Sequence, residues 1–283
     1  MRIGMNLLLW TAHYEAGEHG HLLDKLQALG YDGAEFSIGG GTVAEYRATA
    51  GRLRDLGLGA SAVCAPGPDV NPASPDAAVR ERAGDWLRER VDLAHALGAE
   101  ILCGPNHSAF AHFTRREAQE EEYGWSAEVL ASVGDHAQAA GVTLALEALN
   151  RFECYLCNTA EQVRDLVDRV DHPAIRSMLD THHANIEEKN IEAAIATLGD
   201  TLVHVHICEN DRGAPGSGQI DFDKVFAALA RHDYQGWLTI ESFSRSDLEF
   251  ANAINVWREY STPDDVCTQG LQLIREQLER HYS

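Results

Sequence analysis

The sequence has no apolar run of 18 residues, which argues against a membrane-spanning helix. Its six cysteines (Cys64, Cys103, Cys154, Cys157, Cys208 and Cys267) are too sparse among 283 residues for a disulfide scaffold. Cys154 and Cys157 form a lone C-x-x-C; with no second pair it makes no zinc site, and both read as small packing residues. Basic residues are scarce, 23 Lys and Arg against 44 Asp and Glu, and the net charge of −21 repels a phosphate backbone. A nucleic-acid partner is therefore not expected. The first residues lack a charged n-region, a long apolar core and a small-residue cleavage site, so no signal peptide is read and a cytoplasmic protein is expected. No G-x-G-x-x-G follows the first apolar run, and the run GGGTV at 39–43 lacks a Walker lysine, so it reads as a loop rather than a phosphate cradle. Low-complexity tracts and linkers are missing as well.

What the chain does have is a period. With 45% hydrophobic residues it can build one substantial core. Eight short apolar runs recur: RIGMNLLLW, DGAEFSI, LGASAVC, AEILCG, VTLALEA, AIRSMLD, LVHVHIC and WLTIES. Each is followed by a stretch with apolar residues at helical spacing, and four helix–glycine–strand junctions repeat as ALGYDGAEF, DLGLGASAV, ALGAEILC and AAGVTLAL. Near-continuous apolar strands are buried on both faces, as parallel strands are. Eight such units in 283 residues predict an α/β fold, a (β/α)8 TIM barrel forming one domain over 1–283, in preference to a doubly wound sheet.

In such a barrel, chemistry sits at the carboxyl ends of the strands. Four consecutive strand ends carry metal-ligand residue types: Glu147 after LAL, Asp180 after SML, His206 within LVHVHIC and Glu241 after LTI. A single acid at a strand end is often just a helix cap. Three carboxylates and an imidazole gathered on one arc repel one another unless a cation sits among them, and this hard O/N set suits Mn²⁺, Mg²⁺ or Co²⁺. His204 shares a face with His206 but lies one pleat deeper, so it is read as packing or as a hydrogen-bond donor behind the ligands.

The motifs E-x-x-N-R-F-E from Glu147, D-T-x-H-x-N-I-E-E from Asp180 and H-x-H-x-x-E-x-x-R from His204 occur in this order. Together they resemble those of the ketose 3-epimerases, the group typified by D-tagatose and D-psicose (D-allulose) 3-epimerases within the xylose-isomerase-like TIM barrels. The similarity is dense over 141–258 and thinner before it. It implies one divalent cation per subunit, Mn²⁺ first, on Glu147, Asp180, His206 and Glu241. It also implies that Glu147 and Glu241 double as the acid–base pair, that Glu153, His183 and Arg212 bind substrate hydroxyls, and that the protein is a homodimer or homotetramer. Two features depart from the pattern. His182 stands where the resemblance leads one to expect phenylalanine, and VCAPGP and LCGPNHSAF, expected at the far end of the pocket, match no particular member.

The implied activity is epimerisation of a free ketose at C3. The proton beside a ketone is too weakly acidic for an unaided carboxylate, and a bound cation stabilises the developing enediolate. One carboxylate removes the proton and the other returns it on the opposite face. An aldose–ketose isomerase of the hydroxypyruvate-isomerase type and a polyol dehydratase are the alternatives. Trp10, His13, Glu35, His107 and Trp125 are weaker candidates for the site, and Arg151 is expected to pair with an acid below it.

Overall fold

The computed structural model describes residues 1–282. Eight parallel strands close into a barrel in sequence order, with the last paired back to the first through Met5 and Ile240. The strands are β1 (Arg2–Asn6), β2 (Gly33–Ser37), β3 (Gly59–Val63), β4 (Ile101–Gly104), β5 (Thr143–Leu146), β6 (Ile175–Asp180), β7 (Leu202–Ile207) and β8 (Trp237–Ile240). Each falls within one of the eight apolar runs, and the (β/α)8 expectation is met. The helices are α1 (Ala16–Leu29), α2 (Val43–Leu56), α3 (Ala77–Leu97), α4 (Glu120–Ala140), α5 (Ala160–Val170), α6 (Thr181–Glu187), α7 (Ile191–Leu198), α8 (Phe222–Arg231), α9 (Leu248–Ala253) and α10 (Pro263–His281). The short helices α6 and α9 were not anticipated, because six or seven residues are too few to display a helical period.

The helix–glycine–strand junctions work as their composition suggests. Gly30, Gly57, Gly98 and Gly141 end α1, α2, α3 and α4 at φ of 85, 69, 81 and 70°, in the left-handed region that a β-carbon disfavours. Of the run at 39–43, residues 39–42 form a loop and Val43 opens α2, which Thr42 caps in a reciprocal box with Glu45.

Inside the barrel, Ile101, Cys103, Ala145, Met178 and Trp237 form their own buried cluster, separate from the strand–helix core. The Trp237 ring fills the space beside β2 and β3, where a β-carbon on Gly33 would come within 2.5 Å of it and one on Gly59 within 3.1 Å. On β7, Leu202 pairs with Ser177 and His204 with Met178, so Val203 is an extra, bulged residue. Bulges re-aim the side chains that follow them; here His204 and His206 come to stand side by side, their ring centroids 5.1 Å apart.

Candidate active site

Each of β5 to β8 delivers one donor to the same end of the barrel: Glu147 directly after β5, Asp180 as the last residue of β6, His206 on β7 and Glu241 directly after β8. One ligand atom from each of the four lies within 4.8 Å of the others, and all four residues are buried. His206 Nδ1 is central, standing 3.4 Å from Glu241 Oε2, 3.7 Å from Asp180 Oδ2 and 4.0 Å from Glu147 Oε1. This nitrogen is buried and has no hydrogen-bond partner among the described residues. A buried ring nitrogen without a partner is costly, and so are three carboxylates crowded around it. A divalent cation relieves both at once, and the mixed N/O donor set suits a hard one. The residues present therefore fit the cation that the sequence implies.

Asp180 caps the helix that follows it. Its Oδ1 accepts from the backbone N–H groups of His182 at 2.6 Å and His183 at 3.3 Å, capping α6. Its Oδ2 turns the other way, towards His206 and Arg212. One oxygen serves the cap and the other faces the cluster of donors.

Arg212 reaches the donors from the loop after β7. Its Nη1 donates to Asp180 Oδ2 at 2.7 Å and to Glu241 Oε2 at 2.9 Å. The glycine-rich stretch that carries it is ordered around Glu209, which is fully buried and accepts from the backbone N–H groups of Asn210, Gly216 and Ile220 at 3.0, 2.9 and 3.1 Å. Arg212 itself sits at φ 64°, unusual for a non-glycine residue. Behind it, the guanidinium carbon lies 4.8 Å from the Phe243 ring centroid.

His183 is oriented by a residue that sequence reasoning passed over. Its Nδ1 accepts from the Asn150 backbone N–H at 3.1 Å and faces the Asn150 side-chain nitrogen at 2.9 Å. Its Nε2 faces Arg212 Nη2 at 3.0 Å and Glu147 Oε1 at 3.7 Å. Asn150 Nδ2 also donates to Glu153 Oε1 at 2.8 Å, so one amide sets two of the expected substrate contacts. Its only signal in the sequence is its place between Glu147 and Glu153. Arg151 pairs with an acid as expected: it grips Glu187 of α6 with Nε–Oε1 at 3.0 Å and Nη2–Oε2 at 2.8 Å.

The field in the site is uneven. Burial pushes the Glu147 carboxyl well above the ordinary range; His206 opposes this, while Glu241 and Asp180 add to it. Burial also acts to raise Asp180, but Arg212 and His183 outweigh it and hold that carboxyl well below its usual value. Glu153 is raised, chiefly by burial. Burial lowers His182 to about 4, so its ring is neutral near pH 7, and its Nδ1 lies 3.0 Å from the Asn210 carbonyl oxygen.

These groups open into a cavity of about 590 Å³. Glu147, Glu153, His183, Arg212 and Glu241 line its charged side, together with His182. Val63, Cys64, Ala65, Pro105 and Phe110 line it from the first half of the chain, so the two segments assigned to the pocket do reach it. Phe243, Phe250 and Ile254 form an apolar wall after β8. Trp10, His13, His107 and Trp125 are not among the lining residues. His107 instead donates from Nε2 to the Glu147 carbonyl at 2.8 Å, beneath the site. Cys154 and Cys157 are free and buried, in keeping with a packing role.

The family model described as "Xylose isomerase-like TIM barrel" matches residues 23–277. The chain is 30% identical to the ketose 3-epimerase of Arthrobacter globiformis over 98% of its own length and 97% of the relative's. It is 36% identical to the L-ribulose 3-epimerase of Mesorhizobium japonicum, over 91% of this chain and 87% of the other. The crystal structure of D-allulose 3-epimerase from Methylomonas sp. in complex with D-allulose superposes with a TM-score of 0.91 at 29% identity, covering 98% of this chain and 97% of that one. With that match along nearly its whole length, the chain belongs to the xylose isomerase-like TIM barrels and, among them, to the ketose 3-epimerases.

Proposed function

We propose that the protein is a metal-dependent epimerase that inverts C3 of a free ketose, such as the D-tagatose/D-sorbose or D-fructose/D-psicose pair or a ketopentose. One observation carries this reading. Two buried carboxylates from β5 and β8, Glu147 and Glu241, approach the same orphaned nitrogen at 4.0 and 3.4 Å at the end of a sugar-sized cavity. A divalent cation held by Glu147, Asp180, His206 and Glu241, taken here as Mn²⁺ with Co²⁺ or Mg²⁺ as alternatives, supplies an electrophile for the ketose oxygens.

The remaining chemistry belongs to the side chains. Glu147 and Glu241 flank the substrate; one takes the C3 proton and the other delivers a proton to the opposite face. His183, held at Nδ1 by the Asn150 backbone N–H, faces a substrate oxygen. Glu153 accepts from a hydroxyl. Arg212 contributes a fixed positive charge and two-pronged donation next to the reacting carbons. The aromatic wall of Phe243 and Phe250 covers an apolar sugar face.

Association into a homodimer or homotetramer is part of this proposal. Phe152, Leu248 and Trp257, which are 73%, 58% and 65% exposed on the loops and helix that follow β5 and β8, are the apolar side chains we assign to that contact. Light scattering of the purified protein tests it. The catalytic reading is tested by incubating the Mn²⁺-loaded protein with a panel of ketoses in D₂O and following the sugars by NMR and chromatography. Deuterium at C3 with inversion is the expected result. Label confined to C1 or C2 assigns an aldose–ketose isomerase instead, and loss of water assigns a dehydratase.

A further inference from the structure

Beneath the four donors lies a fully buried carboxylate that none of this chemistry uses. Glu35, on β2, extends into the barrel interior and spends both oxygens there. Oε1 lies 2.8 Å from His206 Nε2 and accepts from Asn6 Nδ2 at 2.9 Å. Oε2 lies 2.9 Å from His204 Nε2 and accepts from Ser61 Oγ at 2.8 Å and more weakly from Cys103 Sγ at 3.4 Å. Asn6 reaches further, because the same Nδ2 also donates to Glu241 Oε1 at 2.9 Å. The orientation of that amide is set from behind, where Asn6 Oδ1 accepts the Leu8 backbone N–H at 2.9 Å.

These contacts decide which nitrogen of His206 is available. An ionised carboxylate only accepts hydrogen bonds. His206 must therefore carry a proton on Nε2, and in the neutral ring the lone pair is left on Nδ1, the atom surrounded by Glu147, Asp180 and Glu241. We propose that Glu35 is a positioning residue for the metal centre: it fixes the tautomer and orientation of His206 directly, and through Asn6 it ties that ligand to Glu241. The second oxygen of the same carboxylate lies beside His204, 2.9 Å from its Nε2. Carboxylates that accept from a ligating histidine raise its basicity and lock its ring. The inference rests on the metal-dependent reading above and adds to it a residue that touches neither cation nor substrate.

Two measurements test it. Calorimetric titration with Mn²⁺ of the metal-free protein and of its Glu35→Gln and Glu35→Asp variants reads affinity independently of turnover. Glu35→Gln is expected to weaken binding about 10- to 100-fold, with Glu35→Asp in between. A folded Glu35→Gln protein that binds Mn²⁺ within twofold of the unmodified chain overturns the proposal. The second measurement needs no variant. Ring ¹⁵N NMR of His206 in the unmodified, Mg²⁺-bound protein is expected to show protonation on Nε2; protonation on Nδ1 overturns the proposal, whatever the variants do. Failure of the catalytic reading looks different. A chain that shows both expected results but epimerises no ketose keeps Glu35 in this role and loses the function, whereas a chain that binds neither cation loses both.

Discussion

The two halves of the barrel share one backbone plan and are put to different use. In β5 to β8 the strand ends carry Glu147, Asp180, His206 and Glu241, all directed at one point. In β1 to β4 the last strand residues are Asn6, Ser37, Val63 and Gly104, none of which is ionisable in this range. The first half contributes walls, through Leu8, Val63, Cys64 and Pro105, and its acid, Glu35, lies behind the ligands and not among them. A strand–helix repeat presents equivalent positions around its mouth at no extra folding cost, so the side chains at those positions decide where chemistry happens. Here the charge is concentrated on one arc, and the opposite arc is left apolar and able to take the part of a sugar that does not react.

The sharpest way to break this comparison is to exchange matched positions. Glu241→Gln keeps the shape of the side chain and removes its capacity to exchange a proton; turnover is expected to fall by about 10²- to 10⁴-fold with the fold retained. Ser37→Ala, at the mouth of β2 and in the same cavity, is expected to change kcat less than tenfold. Comparable losses in the two variants, measured by ketose chromatography, would mean that catalysis is not confined to the second half. Chelation addresses the same half as a whole. Activity is expected to disappear with EDTA and return with Mn²⁺. The cation is expected to stabilise the fold by about 2.7 kcal/mol when present at a hundred times its dissociation constant.

Arg212 makes a finer probe of that arc. Its guanidinium contacts Asp180 and Glu241 at 2.7 and 2.9 Å, with both acids buried. Removing one partner of a buried pair costs about 3–5 kcal/mol, because a charge is left uncompensated. Arg212→Met is therefore expected to lower the melting temperature of the metal-free protein. It should also enlarge the rise in melting temperature produced by Mn²⁺, since the cation takes over the missing compensation. An equal Mn²⁺-induced rise in both proteins would show that the guanidinium and the cation do not share the same acids.

The strands and long helices were legible because burial imposes a period: eight apolar runs, and helices closed by glycines whose positive φ is observed. The four donors were legible for a related reason, since an acid or histidine at the end of a buried strand stands out against its neighbours. Asn6 left no such trace, and Asn150 left only its place in the motif from Glu147. Both act through amide geometry, in contacts that span 33 and 235 residues, and an asparagine in a loop or at a strand end looks like turn chemistry. Glu35 was visible as an acid in an apolar run, but nothing in the chain places it beside two histidines about 170 residues away. Glu209 stood in the motif from His204, but nothing in the chain shows that its carboxylate is buried and binds three backbone N–H groups.

His107 joins the two halves. It belongs to the loop after β4, yet its Nε2 donates to the carbonyl of Glu147 at 2.8 Å, and Ser108 Oγ lies 3.0 Å from its Nδ1. Burial pushes its pKa down to about 4, against which the Glu147 carbonyl bond acts only weakly. In the unfolded chain the same ring titrates near 6.5. Between these values the unfolded state holds a proton that the folded state does not, so acidification favours unfolding. Above pH 6.5 the residue contributes no pH dependence, and its penalty grows as the pH falls, reaching about 3 kcal/mol near pH 4. His182 is displaced in the same direction and adds a loss of the same sign. His107→Gln should start from a lower stability at pH 8, having lost part of its hydrogen bonding, and then lose less than the unmodified chain on acidification to pH 4. Denaturant titrations at a series of pH values give the two slopes. Parallel curves would mean that His107 takes up its proton without unfolding, and that the tie between the loop after β4 and the carbonyl of Glu147 is looser than the 2.8 Å contact implies.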